Sequence, residues 1–355
     1  MTTITPGLVC AHHHLYSSLA RGMPAPPESP TNFISVLQQI WWRLDAALDT
    51  EMIYWSAALG AAEALLSGTT TIIDHHESPN AIEGSLDAIA AGCALVGVRV
   101  IPSYGITDRW TNDGRLVEVM PADPMTDSAR RGLEECERFI GSGRRAMVGL
   151  HASFTCSDET LHAAADLADR LGVGVHVHVA EGPDDAQAGA RLSRLSRDNW
   201  LLVHCVGLDT ALAGTIVHNP RSNMNNRVGY ARPVRFDNPV ALGTDGIGAD
   251  MPEEFRLAFV AGRNDDLEFS PDTAWSWLHN GLKLAPESAN DRVEWNYDHM
   301  DSAWHVAFTP GTRPLRVEVD GRAVIENGRP TNFDLDEIRR KASEQSHRLH
   351  ERLAA

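Results

Sequence analysis

The feature that most constrains the fold of this chain is a repeated alternation between short apolar, β-rich runs and longer segments of helical character. Eight runs stand out: Pro6–Ala11, Thr69–Asp74, Val98–Tyr104, Ala146–Ser153, Val173–Val179, Trp200–Val206, Gly214–His218 and Val240–Thr244. Helix-like stretches such as Glu51–Leu66 and Asp158–Leu171 lie between them. Strands that alternate with helices point to parallel pairing through crossover connections. Eight such units over roughly 250 residues match a closed (β/α)8 barrel in size. A doubly wound open sheet is the alternative.

Two connections are short. Only Gly207–Ala213 separates the sixth and seventh runs, barely two helical turns. Gly182–Asn199, between the fifth and sixth, is brief for a loop plus a full helix. The barrel is therefore expected to lack normal helices there. Beyond the eighth run, Met251–Ala261 and Ser270–Lys283 read as helices. Leu315–Val319 and Ala323–Glu326 flank an Asp320–Gly321 turn as a hairpin. Asp334–Ala355 reads as a charged amphipathic helix packed on the outside. The expected organisation is a barrel over 6–300, a reduced β subdomain over 301–333 and a C-terminal helix over 334–355.

Composition removes several functions. The formal charge is −17, from 31 basic and 48 acidic residues. Nucleic-acid binding relies on a basic face, and no Lys/Arg-rich run exists. The two lysines, Lys283 and Lys341, lie near the C-terminus, so a Gly-Lys-Ser/Thr phosphate loop is excluded. No apolar run approaches the ~18 residues of a membrane helix, and the N-terminus lacks the basic and apolar regions of a secretory signal. Cys10, Cys93, Cys136, Cys156 and Cys205 form no C-x-x-C pair and no disulfide framework, which suits a reducing cytoplasm.

Most of the histidines before residue 220 fall at or near the end of an expected strand, where (β/α)8 enzymes build their active sites. His12-His13-His14 closes the first strand. Residues i and i+2 share a strand face, so His12 and His14 can converge while His13 turns away. His176 and His178 repeat the pattern on the fifth strand, with Glu181 just beyond. His204 ends the sixth run and Asp245 the eighth. Paired imidazoles suit zinc or iron, and a carboxylate beside them can bind the cation or accept a proton from its water. The other reading of each feature is a solvated strand end, a satisfied core histidine or an ordinary turn. There is no His-Glu-x-x-His, no G-x-S-x-G and no Pro-Cys-x-x-Cys, which excludes zincins, nucleophile-elbow hydrolases and cytidine-type deaminases.

Together these residues resemble the amidohydrolase superfamily. PGLVCAHHH is similar to its opening motif, HVAE to its fifth-strand motif, LLVHC to its sixth and LGTDG to its eighth. GTTTIIDHH, GLHASFT, HNPRSNMNN and GTDGIGADM look like the aminohydrolase branch, with its chlorohydrolases and nucleobase deaminases. The resemblance implies that His12, His14, His178 and Asp245 hold one divalent ion, most often zinc and sometimes iron. It implies that Glu181 protonates the substrate nitrogen, that His204 orients the attacking water and that Asp245 takes its proton. His151 and Arg109 would contact substrate. The carboxylated lysine of binuclear members cannot form, because no lysine precedes Lys283. The implied reaction is hydrolytic deamination at an amidine- or guanidine-type carbon of a small N-heterocycle, releasing ammonia. Amide hydrolysis, dechlorination and a catalytically decayed binding barrel are the alternatives. Trp41, Trp42 and Trp110 are candidates for stacking on a planar ring, or for core.

One departure stands out. Family members open with a longer β-rich segment that pairs with the C-terminal strands, whereas Met1–Thr5 alone precede Pro6 here. The hairpin face is then expected to pack on the barrel or on a second subunit, giving a homodimer or higher homo-oligomer.

Overall fold

A computed structural model of the chain describes residues 2–354. Its strands are β1 (Ile4–Thr5), β2 (Leu8–His14), β3 (Thr69–His76), β4 (Arg99–Ile106), β5 (Val148–Ala152), β6 (Val175–Val179), β7 (Leu201–His204), β8 (Thr215–His218), β9 (Val240–Leu242), β10 (Asp245–Gly246), β11 (Arg292–Trp295), β12 (Pro314–Val319), β13 (Arg322–Glu326) and β14 (Arg329–Pro330). Each expected run coincides with one of β2 to β9. They pair in parallel in chain order, and β10 pairs with β2. Closure happens at the break between β9 and β10. The Gly243 N–H donates to the His218 carbonyl of β8, and the Thr244 N–H donates to the His12 carbonyl of β2. One interrupted strand thus joins both edges of the sheet, and the barrel is complete.

Side chains sort into two layers. Val9, Ala11, Ile73, Ile101, Leu201, Val203, Val217 and Ala241 form a compact apolar cluster inside the barrel. Cys10, Ile72, Leu150, Val175, Val177, Leu202 and Ile216 belong to the larger core shared with the surrounding helices. The helices start where the chain offers a cap. Ser157 accepts from the Thr160 N–H at the head of Asp158–Leu171, and Thr126 accepts from the Ala129 N–H at the head of Asp127–Gly141. The expected gaps are real. Only a five-residue helix, Ala188–Leu192, and a single turn at Pro183–Asp185 follow β6, and no helix lies between β7 and β8.

The small sheet differs from expectation. It has five antiparallel strands in the order β1-β11-β12-β13-β14, so it draws on Ile4–Thr5 and Arg292–Trp295 and is not confined to 301–333. Its inner face is covered by the barrel: Val293, Trp295, Val317, Val319, Val324 and Ile325 are buried in the main core. Trp295 lies against Gly68, the residue that precedes β3, where a Cβ would come within 2.5 Å of the ring. Arg99 of β4 reaches across to Asp291 at 2.5 Å and Asp320 at 2.5 Å. The face therefore needs no second subunit to cover it. Helix Leu335–Ala354 lies on the outside, where Arg348 and Arg352 pair with Asp49, the cap of helix Thr50–Leu66.

Candidate active site

The first two site residues depend on a β-bulge. Cys10 of β2 pairs with Ile72, but His13 pairs with Asp74, so two residues of β2 have no separate partners between them. Strict alternation from Val9 and Ala11 would send His13 inward. The bulge shifts the phase and turns His12 and His14 into the barrel mouth instead. His13 faces away, with Nδ1 2.9 Å from the Thr244 hydroxyl. On β6 no correction is needed, and His176 and His178 share the inner face opposite Val175, Val177 and Val179. His204 would point outward by alternation from Leu201 and Val203. It enters the site because it adopts φ +69°. Ala180 and Asp245 also have left-handed backbones, at φ +45° and +59°. Non-glycine residues rarely occupy this region, and such strain concentrates at functional sites.

The imidazoles converge through one kind of atom. His12 Nε2 lies 3.2 Å and His14 Nε2 3.0 Å from Asp245 Oδ1, and His178 Nε2 lies 3.3 Å from His14 Nε2. Each opposite nitrogen is committed elsewhere. His14 Nδ1 donates to the His75 carbonyl at 2.6 Å, and His178 Nδ1 donates to the His151 carbonyl at 2.7 Å. His12 Nδ1 sits 2.9 Å from His176 Nε2, whose ring is braced in turn by Ser103. Such partners fix the tautomer that leaves Nε2 lone pairs facing one another. Burial holds His12 and His178 well below the usual imidazole range. Burial also acts on His14, but Asp245 outweighs it and raises that ring to about 9. The pocket thus favours one positive charge between these side chains. A divalent cation bound by three nitrogens and a carboxylate fits that demand.

Proton-handling groups sit beside the cluster. His204 Nε2 is 3.4 Å from Glu181 Oε2 and 3.9 Å from Asp245 Oδ2. Burial pushes the Glu181 carboxyl up, opposed by His204. One short helix, Pro220–Asn225, together with the residue after it, supports all three groups. Asn223 Oδ1 accepts from His204 Nδ1 at 2.8 Å, the Ser222 hydroxyl donates to Asp245 Oδ2, and Asn226 Nδ2 donates to Glu181 Oε1 at 3.3 Å. Arg221 donates to the carbonyls of Thr244 and Gly246, on either side of Asp245. The signal for these supports was the run of polar residues in HNPRSNMNN directly after an apolar strand, which sequence reasoning matched to a family motif without assigning roles. His75, whose ring lies 4.6 Å from that of His178, was likewise visible in TTTIIDHH but given no role.

A cavity of about 310 Å³ opens over the cluster. It is lined by His14, His178, Glu181 and Asp245 and by an aromatic wall that includes Trp41, Trp42 and Phe154. His151 lines it too, with its ring edge-on to Trp42. Two of the candidate residues lie away from the cavity. Arg109 is buried behind the wall and does not line the cavity; it donates to Glu77 at 2.5 Å and Asp45 at 3.2 Å and lies over Trp42. Trp110 also stays behind the wall, donating to Glu77 at 3.0 Å, so of the three tryptophans Trp41 and Trp42 line the cavity.

Comparison with known proteins agrees with this architecture. Among curated relatives, 5'-deoxyadenosine deaminase of Methanopyrus kandleri is 28% identical over 98% of this chain and 86% of its own length. The 8-oxoguanine deaminase of Pseudomonas aeruginosa is 30% identical over 94% of this chain and 84% of its own length. A zinc-bound adenosine deaminase structure from Xanthomonas campestris superposes with a TM-score of 0.80 at 22% identity, over 98% of this chain and 86% of that one. The model of the amidohydrolase family matches residues 3–278, and the chain belongs to that family.

Proposed function

We propose that this chain is a metal-dependent aminohydrolase. It hydrolyses an amidine- or guanidine-type C=N carbon of a small N-heterocycle and releases ammonia. The observation that supports this reading is the run of short contacts from His12 through Asp245 and His14 to His178, within a cluster where His12, His178, His204 and Asp245 lie close enough to share an ion, with Glu181 beside it and a cavity above. Deaminase relatives that align over nearly the whole chain support it.

His12, His14, His178 and Asp245 would hold one zinc ion, which supplies Lewis acidity and an activated water when bound. Asp245 Oδ2 accepts a proton at the mouth of the cluster. His204, held by Asn223, orients the nucleophile with its free Nε2. Glu181 delivers a proton to the substrate nitrogen; a carboxyl raised by burial is suited to giving and taking protons near neutral pH. Trp41 and Trp42 offer aromatic surface to the heterocycle from the cavity wall.

Five buried, unpaired cysteines fit a reducing cytoplasm, and no helix is long and apolar enough to cross a membrane. Our reading is a homo-oligomer, supported by the exposed neighbours Trp304 and Phe308. The deciding experiment is ammonia release by metal-loaded protein across purines, pyrimidines, triazines and cyclic guanidines. Stoichiometric metal with no ammonia from any of them would overturn the reading.

A further inference from the structure

Gly207–Ala213 join β7 to β8 without a helix, yet the backbone that leads into them holds an unfavourable shape. The Cys205 N–H donates to the Val203 carbonyl at 3.0 Å across His204, whose φ is +69°. That bond makes His204 the centre of a γ-turn of the rare, strained hand. Cys205 follows with φ +54°. Two successive non-glycine residues in the left-handed region persist only where their surroundings over-determine them. Relaxation would return His204 to the outward direction that alternation from Leu201 and Val203 prescribes.

One side chain holds this turn from outside the barrel. Arg235, on the loop between β8 and β9, donates from a single Nη2 to the carbonyls of Cys205, Val206 and Leu208, at 2.9, 3.1 and 2.8 Å. Three carbonyl dipoles gathered on one point repel unless a cation sits among them. Asn238 of the same loop donates to the Leu212 and Gly214 carbonyls, both at 2.8 Å. The loop therefore ties down both ends of the connection. On the other side, the Cys205 N–H also reaches the Val179 carbonyl of β6 at 2.9 Å, and the Gly207 N–H reaches the Ala180 carbonyl at 2.8 Å. A clamp of side chains stands where a crossover helix would normally pack.

We propose that Arg235 is a positioning residue for the reaction: it locks the His204–Cys205 turn and so keeps His204 aimed into the site. The inference rests on the deaminase reading, in which His204 orients the nucleophile. It adds a residue that lies outside the cavity lining and acts through the backbone alone.

Arg235→Met keeps the aliphatic stem and removes the donors, and metal-loaded protein is the form to test. Turnover should fall roughly 10–100-fold with KM and metal content little changed, because a small misplacement of an orienting group acts on the reacting step. Cys205, buried beside His204, reports the turn independently of activity. Its labelling by a maleimide, followed by peptide mass spectrometry, should become about tenfold faster or more, as eased local opening predicts. Cys10, Cys93, Cys136 and Cys156, also buried and free, should keep their rates. Arg235→Lys restores a cation with three donors and should recover most of both losses. Unchanged turnover, an unchanged Cys205 rate, or a rise shared by all five cysteines overturns the proposal. A protein that releases no ammonia from any substrate removes the deaminase reading instead, and the Cys205 rate still decides whether Arg235 holds the turn.

Discussion

His14 and His178 face each other with their Nε2 atoms 3.3 Å apart, while the Nδ1 of each ring donates to a main-chain carbonyl. Two nitrogen lone pairs at that separation repel unless something positive sits between them. We expect His178→Ala to lose the bound ion, seen as loss of stoichiometric metal by elemental analysis. The intact protein stripped by a chelator should melt at lower temperature. At free ion a thousandfold above its dissociation constant, the difference corresponds to about 4 kcal/mol. An unchanged melting temperature would show that the ion contributes nothing to the fold.

Glu181 touches His204 and Asn226 but stands outside the group that bonds Asp245 Oδ1. Glu181→Gln should keep its metal and lose turnover by about 10²-fold or more, the usual contribution of a positioned proton donor. A variant with unaltered turnover would remove Glu181 from proton transfer.

Asn223 holds the far nitrogen of His204. Asn223→Ala frees that ring and should lower turnover roughly 10–100-fold, the range for lost orienting partners. Metal content should be retained, because Asn223 braces none of the four proposed ligands. Steady-state kinetics with metal analysis separates this outcome from simple loss of the ion.

Gly68 has φ +86°, and the Trp295 ring occupies the space a side chain would need. Gly68→Ala should destabilise the protein by about 1–3 kcal/mol through strain and overpacking. Urea denaturation measures it.

Asp49 joins the C-terminal helix to the barrel. It accepts from the Met52 N–H at 3.0 Å and pairs with Arg348 at 2.8 Å and Arg352 at 2.6 Å. Burial alone would raise its carboxyl, but these partners outweigh it and hold it below the usual range. A depressed carboxyl stabilises the fold above its unfolded pKa, about 3.9, and that stability is lost as pH falls through the folded value. Asp49→Ala should therefore cost about 1 kcal/mol near neutrality, and the cost should shrink below about pH 4. Melting curves of both proteins across that window check the sign.

The barrel was legible because its strands carry uninterrupted apolar runs, and periodicity is a local property of the chain. His178 and Asp245 were legible for the same reason, each standing near the end of a clean run. His12 and His14 share the inner face and His13 turns away, as their i and i+2 spacing predicts; the bulge at Ala11–His12 that sets their phase relative to Val9 cannot be read from side-chain type. Arg109, expected to contact substrate, does not line the cavity. Nothing in ITDRW discloses that Asp45 and Glu77, remote in sequence, will enclose its guanidinium. The small sheet was seen only as a hairpin because its other strands, Ile4–Thr5, Arg292–Trp295 and Arg329–Pro330, are too short to register until they pair.

The arc between β6 and β8 has only one short helix outside it, and it carries Glu181 and His204. Elsewhere on the barrel, full helices buttress the strands against fraying. Native-state hydrogen exchange should therefore find this arc opening before the rest. The proton-transfer pair, together with His178 on β6, would then be disarranged on gentle heating before His12, His14 and Asp245 on β2 and the closing strand, so inactivation would precede unfolding.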